Sequence, residues 1–151
     1  MTFTAPRSLA YRARVLDDSN LDLLQRANAA RRAGARDDGA EAALERTFDC
    51  DRQLAVYGTL APGRENHGEL RGCDGDWSAG AVRGHLVMRE YPLLSPDPAG
   101  PAVPVALLTS DGLPQHWPRL DEFEGDDYVR VLVEVSRADA PATIANLYAS
   151  R

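Results

Sequence analysis

The chain has no lysine: all 17 of its basic residues are arginine. That absence excludes a Walker-type phosphate loop, a Schiff-base lysine and a lysine general base at once. Cysteine is also scarce. Cys50 and Cys73 stand far apart with no C-x-x-C pair, a usage that fits free thiols in a reducing compartment. No apolar run approaches the roughly 18 residues needed to span a membrane. The N-terminus lacks the apolar centre of a secretory signal, and Asp17, Asp18 and Asp22 spoil its arginine-rich likeness to a transit peptide. A cytoplasmic protein without a membrane partner is therefore expected. A net charge of −6 argues against nucleic acid, because phosphate binding needs a basic surface. The three histidines and two cysteines show no ligand spacing, so a zinc site is not expected.

What is present fits a single domain. At 151 residues the chain can bury one sizeable core but not two. Its first fifty residues contain 8 Arg and 8 Asp or Glu, so the whole negative charge falls in residues 51–151. Ser19 offers a helix cap with Asp22 three residues on, and Leu21, Leu24 and Ala27 follow at helical spacing. Arg31 and Arg32 suit the C-terminal end of that helix, and Gly34 stops it. A second helix is predicted from Ala40 to Arg46, capped by Asp38 with Glu41 in the reciprocal position. The apolar stripe is thin and alanine-rich. Residues 1–50 thus read as a helical hairpin appended to a domain at 51–151, lying either on that domain or on a partner subunit. A homodimer or partner contact through these helices is one expectation.

The main domain reads as strands with brief helical insertions. Strands are predicted at Gln53–Gly58, Ala79–Met88, Val103–Leu108, Tyr128–Ser136 and Thr143–Ala149. Gly84 marks a bulge or a close backbone contact. Asn66 caps a short helix to Leu70. Ser95 to Pro101, rich in proline, is a loop. Leu113–Phe123 reads as two short turns, or as one helix starting at Pro118. Five strands without regular strand–helix alternation argue for an α+β fold.

Two stretches could carry chemistry. In Leu54-Ala55-Val56-Tyr57-Gly58-Thr59-Leu60 an apolar strand meets a turn, where Gly58 leaves peptide N–H groups unshielded beside the Thr59 hydroxyl. Such a strand end can seat a carboxylate, although an ordinary strand and turn has the same pattern. The second stretch is the acidic run from Asp121 to Asp127. Taken alone it reads as a solvated loop. It fails the calcium-loop register, since Phe123 and Gly125 occupy ligand positions. Asp76-Trp77-Ser78-Ala79-Gly80 fails the nucleophile elbow at its first glycine. If Leu120 and Phe123 face the core, Glu124 lies at the buried edge of the helix and Glu122 toward water. A carboxyl group in apolar surroundings resists ionisation and suits proton transfer near neutral pH.

Taken together, Val56-Tyr57-Gly58-Thr59-Leu60, Gly63, Asn66-His67, Tyr91-Pro92-Leu93-Leu94, Leu120-Asp121-Glu122-Phe123-Glu124-Gly125 and Tyr128-Val129-Arg130 resemble the γ-glutamylcyclotransferase-like family. The AIG2-like and γ-glutamylamine cyclotransferase branch is the nearest in pattern. The resemblance spans residues 54 to 148, and the first fifty residues have no counterpart in it. It implies a small mixed β-barrel with flanking short helices and a pocket at its mouth. It also implies that Tyr57, Gly58, Thr59 and Leu60 line that pocket, with N–H groups of the turn holding the substrate's α-carboxylate. Glu124 would be the proton-transferring residue, Tyr128 would hydrogen-bond near the reacting groups, and Arg130 would support the site from behind. The implied substrate is a small γ-glutamyl compound, closed by its own α-amine to 5-oxoproline without a cofactor. A non-catalytic module of the same fold that binds a small carboxylate is the alternative.

This chain departs from the family pattern at Val105-Ala106, where many relatives carry Gly-Glu in the pocket wall, and in the short spacing from Gly125 to Tyr128. His67 reads as a hydrogen-bond partner that fixes its loop. His85 and His116 have no functional argument.

Overall fold

The four valines Val129, Val131, Val133 and Val135 alternate along a strand and so share one face, which must be buried. In a computed structural model describing residues 16–151, that face lines the inside of a nearly closed six-stranded barrel. The strands are β1 (Gln53–Val56), β2 (Asp76–Met88), β3 (Pro92–Pro96), β4 (Ala102–Thr109), β5 (Tyr128–Val135) and β6 (Thr143–Ser150). Their order is β3-β2-β4-β1-β6-β5, antiparallel throughout except for the parallel β1–β6 pair. The fold is α+β, as expected, but it has a sixth strand. Pro92–Pro96, expected to run into a loop, pairs with the second half of β2.

Closure depends on the length of β2. Asp76 to Arg83 pair with β4, and Gly84 to Met88 pair with β3. At Gly84 a Cβ would stand 2.5 Å from the Ser95 carbonyl oxygen, so the expected close backbone contact is present. Ala81 and Ser136 exchange backbone hydrogen bonds of 3.0 and 2.9 Å, which bring the middle of β2 to the end of β5. Val82, Leu94, Val105, Leu107 and Leu147 complete the interior with the β5 valines.

Outside the barrel, α3 (Leu113–Glu124) lays Leu113, Trp117 and Leu120 on Leu54, Val56 and Leu108. It is one continuous helix. Pro118 lies inside it and removes a single N–H, which neither splits the helix nor starts it. Burial of the apolar face outweighs that loss. The Trp117 Nε1 also donates to the Asp51 carbonyl and carboxylate at 3.0 and 2.9 Å, pinning the turn in which the proline sits. Gly125, at φ +76°, ends the helix.

Helices α1 (Asp18–Arg32) and α2 (Asp38–Phe48) form a hairpin; residues 1–15 of the expected extension lie outside the described residues. The caps differ from expectation by one or two positions. Asp17 accepts from the Asn20 N–H at 2.7 Å and Asp37 from the Ala40 N–H at 3.0 Å. In each Asp-rich run the first acid takes the cap, which leaves Asp18 and Asp38 in the first turn, where the helix dipole favours a negative charge. The hairpin lies on the barrel. Ala27, Ala40 and Leu44 bury Leu132 and Ile144. Asn28 works like a piece of strand against the open edge of β5. Its Nδ2 donates to the Leu132 carbonyl at 2.7 Å, and its Oδ1 accepts the Leu132 N–H at 2.8 Å.

Replacing Asn28 by alanine leaves both backbone groups of Leu132 without these partners beneath the helix. Asn28→Ala should lower stability by about 1–3 kcal/mol. An unchanged midpoint in urea unfolding would show that this clip contributes nothing.

Candidate functional site

Alternation in β1 sends Leu54 and Val56 outward beneath α3 and Ala55 and Tyr57 inward. The chain then leaves the sheet and turns, with the Ala61 N–H donating to the Gly58 carbonyl at 3.1 Å. Asn66 fastens the returning loop twice. Its backbone N–H donates to the Thr59 carbonyl and its Nδ2 to the Thr59 Oγ1, both at 2.9 Å. The expected capping role of Asn66 is not what its side chain does: the 3₁₀ turn His67–Leu70 begins without a side-chain cap. His67 fixes the loop as expected, its Nδ1 lying 2.9 Å from the Leu60 carbonyl oxygen. Among the described residues none accepts a hydrogen bond from the N–H groups of Gly58, Thr59 or Leu60. Gly58 has no positive φ, so its turn needs no special conformation. Its requirement is space, because a Cβ there would stand 3.1 Å from the Pro92 ring.

These groups border a cavity of about 340 Å³ at the barrel mouth. Tyr57, Gly58, Thr59, Leu60, Glu124 and Tyr128 all line it. Leu60 itself is buried in the packing under α3. Glu124 enters from the last turn of α3, one turn after the buried Leu120. Phe123, expected to share that core face, is 39% exposed and stands at the rim instead. The core-facing positions are Leu113, Trp117 and Leu120, which leaves Phe123 off the stripe.

The tyrosines are held by main-chain groups. The Tyr57 hydroxyl donates to the Tyr148 carbonyl at 2.6 Å and accepts the Leu94 N–H at 3.2 Å. The Tyr128 hydroxyl donates to the Pro92 carbonyl at 2.9 Å. A further wall residue, Tyr148, donates to Asp121 Oδ1 at 2.6 Å. Arg130 grips the same Asp121 through Nε and Nη2 at 2.9 and 3.3 Å and stacks over the Trp117 ring at 4.3 Å. It does stand behind the cavity wall. Burial pushes the Glu124 carboxyl up to about 7 and raises the hydroxyls of Tyr57, Tyr128 and Tyr148. No hydrogen bond or ion pair joins Glu124 to another described residue.

Two residues tied to the cavity wall carry no local signal in the sequence: Tyr148, which lines it, reads as an ordinary aromatic in a strand, and Asp121, which accepts its hydroxyl, as one acid among several. Val105 and Ala106, expected in the pocket wall, do not line the cavity: Val105 faces the barrel core and Ala106 pairs with Val56. Ser78 lies within β2, where no nucleophile elbow can form. Among the described residues no group of three or more His, Cys, Asp or Glu could hold a metal ion, and no helix is long and apolar enough to cross a membrane.

The chain combines a nearly closed barrel with a cavity at its mouth and a half-buried glutamate, Glu124, in that cavity. Residues 54–151 match the family described as gamma-glutamyl cyclotransferase, AIG2-like, and the chain belongs to that family. Among solved structures it is similar to an AIG2-like protein from Mus musculus, at 21% identity and a TM-score of 0.53 over 66% of this chain and 76% of that one. It is also similar to YkqA from Bacillus subtilis, at 25% identity and a TM-score of 0.55 over 66% of this chain. An Arabidopsis thaliana protein solved in solution matches at 26% identity, with a TM-score of 0.51 over 66% of this chain. The match spans 36% of the Bacillus protein and 61% of the Arabidopsis one, less than two thirds of either. No curated protein sequence matches at a significant level.

The raised Glu124 links stability to pH. Its ordinary value of 4.5 applies in the unfolded chain, so between 4.5 and about 7 the folded state holds the extra proton. The stabilisation is complete below 4.5 and is lost as pH rises through 7. Glu124→Gln should therefore match the parent near pH 4 and exceed it above pH 8 by roughly 3 kcal/mol. Parallel stability curves in urea titrations across that range would contradict the assignment.

Proposed function

We propose that the protein is a γ-glutamyl cyclotransferase that releases 5-oxoproline and a free amine or amino acid. The observation that carries this reading is Glu124: a half-buried carboxyl with a value about 7, in a cavity whose opposite lip offers uncommitted N–H groups. The volume suits a small ligand. In the proposed complex the N–H groups of Gly58, Thr59 and Leu60 receive the α-carboxylate of the γ-glutamyl group. Tyr57 and Tyr128 shape the walls along its side chain. Residues 51–151 form the catalytic unit in this reading, and residues 1–50 are an extension of it.

The chemistry needs one proton carrier. The substrate's α-ammonium gives a proton to the Glu124 carboxylate and becomes nucleophilic. The freed amine attacks the γ-carbonyl carbon, forming the ring C–N bond. As the tetrahedral intermediate collapses, the bond to the departing nitrogen breaks and Glu124 returns the first proton to that nitrogen; the ring nitrogen, left as N+H2 by the attack, gives its second proton to the same carboxylate, which passes it on to the departing amine as the neutral lactam forms. Atoms balance without water or a cofactor. A carboxyl poised near neutrality serves both directions, and general acid–base catalysis of this kind is worth about 10²–10⁴ in rate. Holding the chain folded for ring closure adds to that, since effective molarities for such closures reach ~10⁵–10⁸ M.

The purified protein should release 5-oxoproline from a panel of γ-glutamyl amines and dipeptides. Glu124→Gln should lower kcat by at least about 100-fold with its fold intact. Full activity in that variant would remove Glu124 from the mechanism; tight ligand binding without turnover in the parent would make the protein a binding module. The acidic limb of the kcat profile should report a group near pH 7, since the base form of Glu124 is lost below it.

A further inference from the structure

The hairpin outside the family match carries a second feature, beyond covering β5. Glu41 is only 6% exposed and receives Arg31 in a two-point grip, Nε at 2.7 Å and Nη2 at 2.8 Å. The remaining Arg31 nitrogen, Nη1, donates to Asn146 Oδ1 at 2.9 Å and to the Arg130 carbonyl at 3.2 Å. Asn146 is 1% exposed, and the same Oδ1 also receives Arg130 Nη1 at 2.9 Å. Its Nδ2 donates to the Cys50 carbonyl at 2.8 Å, which fixes the amide's orientation. Arg130 then holds Asp121, and Asp121 holds the Tyr148 hydroxyl. Asp121 and Glu124 are three residues apart in the final turn of α3, one helical neighbour from each other.

We infer that Arg31 and Glu41 are positioning residues for the candidate site: through Asn146 and Arg130 they fix Asp121, and with it both the Tyr148 wall and the turn that presents Glu124. The inference rests on the cyclotransferase reading for its kinetic readout. The chain of contacts is charge-balanced, with Glu41 and Asp121 flanking two guanidiniums that share one amide oxygen. Neither guanidinium has a free choice of position, because each is gripped at all three nitrogens. Without Arg31, the Arg130 carbonyl loses its guanidinium partner and Asn146 Oδ1 keeps only Arg130 as donor, with the Cys50 carbonyl still holding the amide. Small displacements at the far end are costly, since a misplacement of about 1 Å at a catalytic group can reduce rate ~10²-fold.

The groups facing Glu124 are Tyr57 from β1, Tyr128 from β5 and Tyr148 from β6, with Tyr91 and Asp127 at the rim. Tyr148 is the member of this set that the relay holds. If it loosens, water reaches Glu124 and the carboxyl titrates lower.

The test is the double variant Arg31→Met/Glu41→Leu, because replacing a whole buried ion pair by apolar groups usually leaves stability unharmed. Expected are a preserved melting temperature, a kcat lower by on the order of tenfold to a hundredfold and a KM within roughly threefold. The Glu124 titration, followed by NMR of labelled glutamate carboxyl carbons, should move down from about 7. Arg31→Lys keeps the charge but not the fork, and should show a smaller loss in the same direction. Arg26→Gln, at an exposed ion pair of the same hairpin, serves as the control and should change neither readout. Wild-type kcat with an unchanged Glu124 titration in the folded double variant overturns the inference. So does an equal loss in Arg26→Gln, and, if the double variant does not fold, so do unaltered readouts in Arg31→Lys. Should the parent release no 5-oxoproline at all, the cyclotransferase reading fails while the titration still decides the relay.

Discussion

Strand β6 is buried along both faces, with seven of its eight residues out of solvent, and the rest of the molecule is arranged around that constraint. One face gives Ala145, Leu147 and Ala149 to the barrel interior. The other gives Ile144 to the hairpin, Asn146 to the two guanidiniums and Tyr148 to the cavity wall. Both of its edges are paired as well, with β1 in parallel and β5 antiparallel. Removing the hairpin would uncover one of those faces. The extension, the barrel and the site thus meet on a single strand.

Much of this was legible in the sequence. Valine alternation located β5, Gly34 and Gly125 located two helix ends, and the spacing from Leu120 put Glu124 at a buried edge. What stayed hidden depended on distant partners. The continuity of α3 across Pro118 rests on burial against strands distant in sequence and on the Trp117 hydrogen bonds to Asp51, 66 residues away. Strand β3 has a proline at each end and reads as loop until β2 offers it a ladder. The hairpin's placement on the domain rather than on a partner was undetermined, because a thin alanine-rich stripe does not name its cover.

The same limit applied to the site. Motif residues that act through their own backbone or through simple burial, such as Gly58 and Glu124, could be picked out locally. Residues that act through one another could not. Asp121 matters because Arg130 and Tyr148 converge on it from separate strands, and Asn146 because two arginines share its oxygen. No spacing rule connects residues 31, 121, 130 and 146. The acidic run therefore divides by partner rather than by composition: Asp121 is structural cement, Glu124 lies in the cavity with Asp127 at its rim, and Glu122 faces water.

The hydroxyls of Tyr57 and Tyr128 both end on the backbone of β3 or its entry, one at Leu94 and the other at Pro92. Each is a tie between the barrel body and the strand that forms the far side of the mouth. The entropy of ordering that side is therefore lost when the chain folds, not when a ligand arrives. A small molecule entering the cavity meets walls already in place, so less of its contact energy goes into ordering the protein.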